Sequence, residues 1–147
     1  VNTLAHLLES QGKWKGAEQL YRRALDGCEG KLGADHPDTL AMLSKLSGIL
    51  HSRDQLEEAE PFARRALSGS EAVHGPDHPN TLTCAYKLAN LLSAEGRLEE
   101  AERLYRRTLQ GREEKLGPDH SDTLLSMSNL GALLESQGKL GEALVLF

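Results

Sequence analysis

The chain has 147 residues, of which 39% are hydrophobic, 27% are charged and only 4% are aromatic. This length suggests one domain, and so few aromatic residues favour stacked helices with leucine and alanine cores over a globule with one large core. The formal net charge of −5 argues against a general nucleic-acid binder, because neutralising phosphates requires a basic surface. No apolar run approaches the roughly 18 residues of a membrane span, and no signal peptide is recognisable.

The two cysteines, Cys28 and Cys84, form no CxxC pair and fall at different places in the sequence pattern. They indicate no disulfide framework. Free thiols in a reducing compartment are the simplest interpretation, and we therefore expect a cytoplasmic protein.

One nine-residue motif recurs at a fixed spacing of 42 residues: LGADHPDTL from Leu32, HGPDHPNTL from His74 and LGPDHSDTL from Leu116. A period of this size predicts an array of similar supersecondary units. The length corresponds to about three and a half units. We expect one solenoid with repeat units 1–36 (partial), 37–78, 79–120 and 121–147 (partial), and we expect it to be a fragment of a longer protein.

Each unit is predicted to contain two helices. Leucines spaced i, i+3 and i+4 indicate a first, or A, helix, with the predicted ranges Val1–Gln11, Pro37–Arg53, Pro79–Glu95 and Ser121–Gln137. A residue suited to the left-handed conformation then ends each A helix, namely Gly12, Asp54, Gly96 and Gly138. The second, or B, helices are predicted at Lys13–Lys31, Gln55–Val73, Arg97–Lys115 and Lys139–Phe147.

The recurring motif joins each B helix to the next A helix. We expect its glycine to end the B helix and its proline to occupy the first turn of the A helix. We expect its first aspartate (Asp35, Asp77 or Asp119) to cap the A helix by accepting backbone N–H bonds. The neighbouring histidines occur once per unit, and packed helix axes lie about 8–10 Å apart. They therefore cannot converge on one metal ion, and we predict no metal, no cofactor and no enzyme activity.

Three features resemble the tetratricopeptide (TPR) repeat: the pairs Leu4-Ala5 and Leu88-Ala89, the turn residues Gly12 and Gly96, and the spacing of Ala17 to Tyr21 and Ala101 to Tyr105. The 42-residue form, with Gln11-Gly12-Lys13 and Leu116-Gly117-Pro118-Asp119-His120, is similar to the repeats of kinesin light chains. This resemblance implies an all-α, right-handed TPR superhelix of antiparallel helix pairs, with seven full helices and a C-terminal stub. It also implies an intracellular protein–protein interaction scaffold.

In TPR arrays the A helices line a concave groove. The resemblance places ten residues there: Asn2, Thr3, His6, Ser44, Lys45, Tyr86, Lys87, Asn90, Ser128 and Asn129. Lys45 and Lys87 are the only lysines or arginines among them, and none is acidic. We therefore predict that an extended acidic peptide or a C-terminal carboxylate binds through Asn2, His6, Lys45, Tyr86, Lys87, Asn90 and Asn129.

Two other surfaces carry an alternative interpretation. The pairs Arg22-Arg23, Arg64-Arg65 and Arg106-Arg107 could form an anion track, but a glutamate precedes the first arginine of each pair by four residues. That order favours helical ion pairs on a solvated face. The apolar end Ala143–Phe147 is predicted to pack against another copy or to remain frayed. The alternative function is thus a structural or self-associating segment of a larger signalling protein with no groove ligand.

Overall fold

The computed structural model describes residues 7–8 and 10–146, and all regular structure in them is helical. Leu7, Leu8 and Ser10 are helical and Gln11 lies in the following turn, while residues 1–6 and 9 of the predicted first A helix lie outside the described residues. Seven helices follow in the described part of the chain: α1 (Trp14–Leu32), α2 (Pro37–Ser52), α3 (Leu56–His74), α4 (Pro79–Ala94), α5 (Leu98–Leu116), α6 (Ser121–Ser136) and α7 (Leu140–Val145). The predicted all-helical arrangement is confirmed. The A helices α2, α4 and α6 each end one residue before the predicted position, and the B helices α1, α3 and α5 each lie one residue later.

The A helices begin at a histidine cap, not at the predicted aspartate. Nδ1 of His36, His78 and His120 accepts from the backbone N–H two residues later, at 3.2, 3.1 and 3.1 Å respectively. Each histidine has extended backbone and directly precedes the helix. The prediction that Asp35, Asp77 and Asp119 are the N-caps was wrong, because the helix begins two residues after each aspartate.

The turns between A and B helices have the predicted left-handed residue. Gly12, Gly96 and Gly138 have φ values of 70°, 79° and 75°. Asp54 takes the same place with φ of 60°, and it is the one non-glycine residue with positive φ in the described chain. A side chain in this conformation is strained, so we expect this turn to be the least favourable of the four.

The core is built from columns that repeat every 42 residues. Ala17, Ala59 and Ala101 are fully buried and Ala143 is 3% exposed, which is where A and B helices approach closely. The leucine columns of the A helices are also buried: Leu46, Leu88 and Leu130, then Leu50, Leu92 and Leu134. The two leucine sets lie four residues apart on each A helix, so they share one helical face.

A glycine column between A and B helices was not predicted. A Cβ atom built on Gly111 of α5 would lie 2.7 and 2.8 Å from the two δ-methyl groups of Leu82 in α4. Gly69 of α3 approaches Leu40 of α2 in the same way. Leu82 is 1% exposed and Leu40 is 6% exposed. These glycines therefore allow a close helix approach that a larger residue would disturb.

By its internal contacts the chain divides into two compact units, Val1–Gly75 and Pro76–Phe147, called unit 1 and unit 2 below. Within unit 1, α2 packs against both α1 and α3. Within unit 2, α5 packs against α4 and α6, and α6 packs against α7. Whether all repeats form one continuous solenoid stays a prediction.

The arginine pairs lie on a face rich in ion pairs, as predicted. Nε of Arg22, Arg64 and Arg106 donates to the glutamate four residues earlier at 3.0, 2.7 and 2.9 Å. Arg106 also reaches Glu142 of α7 at 2.5 Å. These partners occupy the guanidinium groups and weaken the anion-track interpretation.

Candidate peptide-binding face

Of the seven predicted peptide-binding residues, Lys45 of α2 is the one that unit 1 contributes among the described residues. Its ammonium nitrogen lies 5.5 Å from the ring centroid of Tyr21 in α1, within cation–π range. The side chain is half-buried. No carboxylate in the described residues lies within ion-pair distance of it.

Unit 2 brings three predicted groove residues together on facing parts of α4 and α6. Asn129 Nδ2 donates to Tyr86 Oη at 2.7 Å and to Asn90 Oδ1 at 3.2 Å. All three side chains are half-buried. They form a hydrogen-bonded cluster of partly exposed side chains.

Tyr105 of α5 extends this cluster into the core. Its hydroxyl donates to Asn90 Oδ1 at 2.5 Å, and its ring lies 6.0 Å from the ring of Tyr86. Burial, with a smaller contribution from Tyr86, raises the pKa of the Tyr105 hydroxyl well above its usual range. Tyr105 is therefore a neutral hydrogen-bond donor that holds Asn90 in place.

Arg112 is the functional candidate that sequence reasoning missed. It lies near the end of α5, is only 4% exposed, and stacks its guanidinium 4.7 Å from the Tyr86 ring centroid. Nη1 donates to the Asp122 carbonyl oxygen at 2.9 Å and to Ser126 Oγ at 2.8 Å. Burial lowers the pKa of Arg112, against the opposing influence of Asp122 and Tyr86.

A signal for Arg112 was present in the sequence. The equivalent positions, 42 and 84 residues earlier, are Ser70 and Cys28. A cation that replaces small residues in a repeat column marks a local difference between repeats. Periodicity could not indicate its burial, because a long charged side chain near the end of a B helix usually lies in solvent.

The other predicted groove residues differ in their exposure, and some lie outside the described residues. Lys87 is half-buried beside Tyr86 in α4, and Ser128 is exposed on α6. Asn2 and His6 lie outside the described residues. Within residues 7–8 and 10–146, no three His, Cys, Asp or Glu side chains are grouped so that they could hold a metal ion.

The repeat length, the paired helices and the buried alanine columns point to one family. The sequence profile of the tetratricopeptide repeat family matches residues 1–72, 38–114 and 84–147. The chain belongs to the tetratricopeptide repeat family. Such repeats are generally protein–protein interaction scaffolds, and the described part of this TPR chain contains no helix long and apolar enough to cross a membrane.

Solved structures confirm the kinesin-light-chain-like TPR fold. The nearly identical TPR-like repeats of a protein described as a kinesin light chain from Podosopora anserina superpose with a TM-score of 0.92 at 23% identity, over 98% of this chain and 68% of that one. A variant of the same protein gives the same values. BtubC (BKLC) from P. vanneervenii superposes with a TM-score of 0.90 at 21% identity, over 97% of this chain and 57% of that one.

No curated protein matches the chain. At 21–23% identity the structural likeness establishes the fold alone. The function must therefore be argued from the side chains of this TPR protein.

Proposed function

We propose that this TPR protein is an interaction scaffold whose A-helix face binds an extended acidic peptide. The observation that carries the proposal is the cluster of Tyr86, Asn90 and Asn129, which joins α4 to α6 on an accessible face. Amide side chains can bond the backbone of an extended peptide, and tyrosine supplies a rigid apolar wall with a polar edge.

Charge gives the preference for acidic ligands. Helix α4 contains Lys87 and no acidic residue, although the whole chain has a net charge of −5. Lys45 supplies a second positive charge on the A-helix face of unit 1, and it has no acidic partner in the described part of that unit. Complementary charge of this kind steers an acidic partner and sets its on-rate and specificity more than its affinity. We therefore expect salt-sensitive binding in the micromolar range, about −8 kcal/mol.

Fluorescence anisotropy with a labelled acidic, tryptophan-containing peptide tests the proposal. The comparison peptide has Gln and Asn in place of Glu and Asp. We expect the acidic peptide to bind more tightly, and we expect Lys45→Glu plus Lys87→Glu to weaken it.

The matched control is Lys31→Glu plus Lys115→Glu. These two lysines are exposed on the B helices α1 and α5, one in each unit, so the control changes the net charge equally. If both double variants lost affinity equally, net charge alone would explain the loss. That result would contradict a binding site on the A-helix face.

The exposed apolar residues of α7 favour one second candidate. Leu140, Leu144 and Val145 are 61%, 78% and 85% exposed, and they suit contact with a second copy of the chain. Sedimentation velocity over a range of concentrations tests this alternative. Self-association that is abolished by Leu144→Glu, without any peptide binding, would favour the structural-segment function.

A further inference from the structure

We infer that Arg112 is a fixed anchor for one carboxylate in unit 2, and that it selects acidic ligands there more strongly than the surface lysines do. The inference rests on the proposed function, because it specifies which residue of the peptide-binding face recognises acid. Arg112 lies on the B helix α5, so it is not among the charged residues of the A helices.

The position of the guanidinium is fixed by three contacts. Nη1 bonds both the Asp122 carbonyl and Ser126 Oγ, and Ser126 Oγ in turn donates to the same carbonyl at 3.1 Å. The Tyr86 ring covers one face of the group. A planar cation held in this way loses little conformational entropy when it binds a ligand.

The other edge of the guanidinium has no protein acceptor. An arginine side chain has five N–H donors, and the two bonds of Arg112 both come from Nη1. Nε and Nη2 bond no acceptor in the described residues, and no carboxylate there lies within ion-pair distance. The completely sealed, unpaired side-chain atoms in that part of the chain belong to Gln55, Thr123 and Gln137, so Nε and Nη2 of Arg112 are not completely sealed, although the whole residue is only 4% exposed.

A carboxylate fits this edge. Nε and Nη2 donate in parallel, which is the geometry of a two-bond arginine–carboxylate pair. A buried cation without an acidic partner has lost hydration that such a ligand would replace. The Asp122 carboxylate is near enough to influence Arg112 electrostatically, but it makes no ion pair with it. Asn90 Oδ1 is already occupied by Tyr105 and Asn129.

A purely structural role, bracing α5 against the first turns of α6, is the competing explanation. The chain itself provides a comparison, because the equivalent position in α3 is Ser70, which is 2% exposed. The same repeat thus forms with a small residue there. Arg112→Ser should consequently fold, and its thermal unfolding and circular dichroism establish whether it does.

The first experiment observes the wild-type side chain directly. Two-dimensional ¹⁵N NMR follows the arginine Nε–H signals during titration with N-acetyl-Asp-N-methylamide, with the Asn compound as control. We expect a saturable shift of the Arg112 signal with the Asp compound alone. Absence of that shift would overturn the inference, whatever the variants do.

The second experiment measures the acidic peptide by anisotropy against wild type, Arg112→Ser and Arg112→Lys. We expect a loss of about 30-fold or more for Arg112→Ser, and a partial loss for Arg112→Lys, which keeps the charge without the paired donors. Equal binding by wild type and folded Arg112→Ser contradicts the anchor and leaves the proposed function intact. A peptide that fails to bind wild type, together with a saturable Arg112 shift, contradicts the proposed function and supports the anchor.

Discussion

Replacing Gly111 by alanine tests whether the close approach of α4 and α5 limits this fold. In a helix interior the change from Gly to Ala stabilises by about 1 kcal/mol. Here the new methyl carbon would lie 2.7–3.3 Å from three side-chain carbons of Leu82, including both δ-methyl groups. A change of rotamer cannot clear both methyl groups easily in a side chain that is 1% exposed. Overpacking of this kind costs about 1–3 kcal/mol.

Gly27 provides a matched control in α1, because it occupies the same repeat position 84 residues earlier. A Cβ atom there meets nothing within 4 Å in the described chain. Gly27→Ala should therefore show the helix-propensity gain alone, about 0.5–1 kcal/mol. The difference in unfolding free energy between the two variants isolates the effect of the contact with Leu82. We expect this difference to be about 1–3 kcal/mol.

The assay is urea unfolding followed by circular dichroism, with thermal melting as a second measure. For a chain of this size 1 kcal/mol corresponds to about 2–4 °C in Tm. Leu82→Ala in the Gly111→Ala background completes a double-mutant cycle, which should show favourable coupling as the clash is relieved. A Gly111→Ala protein at least as stable as Gly27→Ala would refute the close-packing argument.

Three further predictions concern caps, turns and pH. His78→Ala should cost about 0.5–2 kcal/mol of unfolding free energy through loss of the cap on α4, whereas Asp77→Ala should be nearly neutral; the opposite order in urea denaturation would restore the aspartate cap. Asp54→Gly should raise the unfolding free energy by about 1 kcal/mol, because it removes a strained left-handed side chain, and Asp54→Ala measured beside it should show no such gain. The pKa of Glu102 is lowered chiefly by its bond from Lys139, with help from Arg106, so its stabilisation exists above the unfolded-state pKa of about 4.3 and is lost on acidification through and below that value. Glu102→Gln should thus be less stable than wild type at pH 7 and converge with it near pH 3, while Glu99→Gln, on the exposed side of the same helix, should follow wild type throughout.

The sequence alone determined the architecture because every repeat carries the same pattern of helix and turn residues. The 42-residue period, the Ala17, Ala59 and Ala101 column and the turn glycines place helices α1 to α6 within one residue of the structure and identify buried core positions. Helical spacing and left-handed turns are local properties, so short-range patterns suffice to predict them. The ion pairs of Arg22 and Arg106 with glutamates four residues earlier were predictable for the same reason.

The N-cap residues of the A helices were not predicted correctly from the local sequence. Aspartate is the commoner N-cap residue, so the motif favoured Asp77 over His78. Helix α4 starts at Pro79, as predicted, so the residue directly before it is His78, whose imidazole Nδ1 accepts the bond. The error therefore lay in the choice of the capping side chain and not in the position of the helix start.

Only the tertiary structure decided which polar residues act together. Asn129 meets Tyr86 from a helix 43 residues away in sequence, and Arg112 becomes buried beneath them because α5 packs between α4 and α6. The burial of Arg112 depends on residues from three helices, and no periodicity within one helix encodes it. The repeat pattern therefore determined the helices, turns and core columns of this TPR protein. The Tyr86–Asn90–Asn129 cluster and the buried cation beside it arose from side chains that depart from the repeat, whose contacts exist only after the helices have packed.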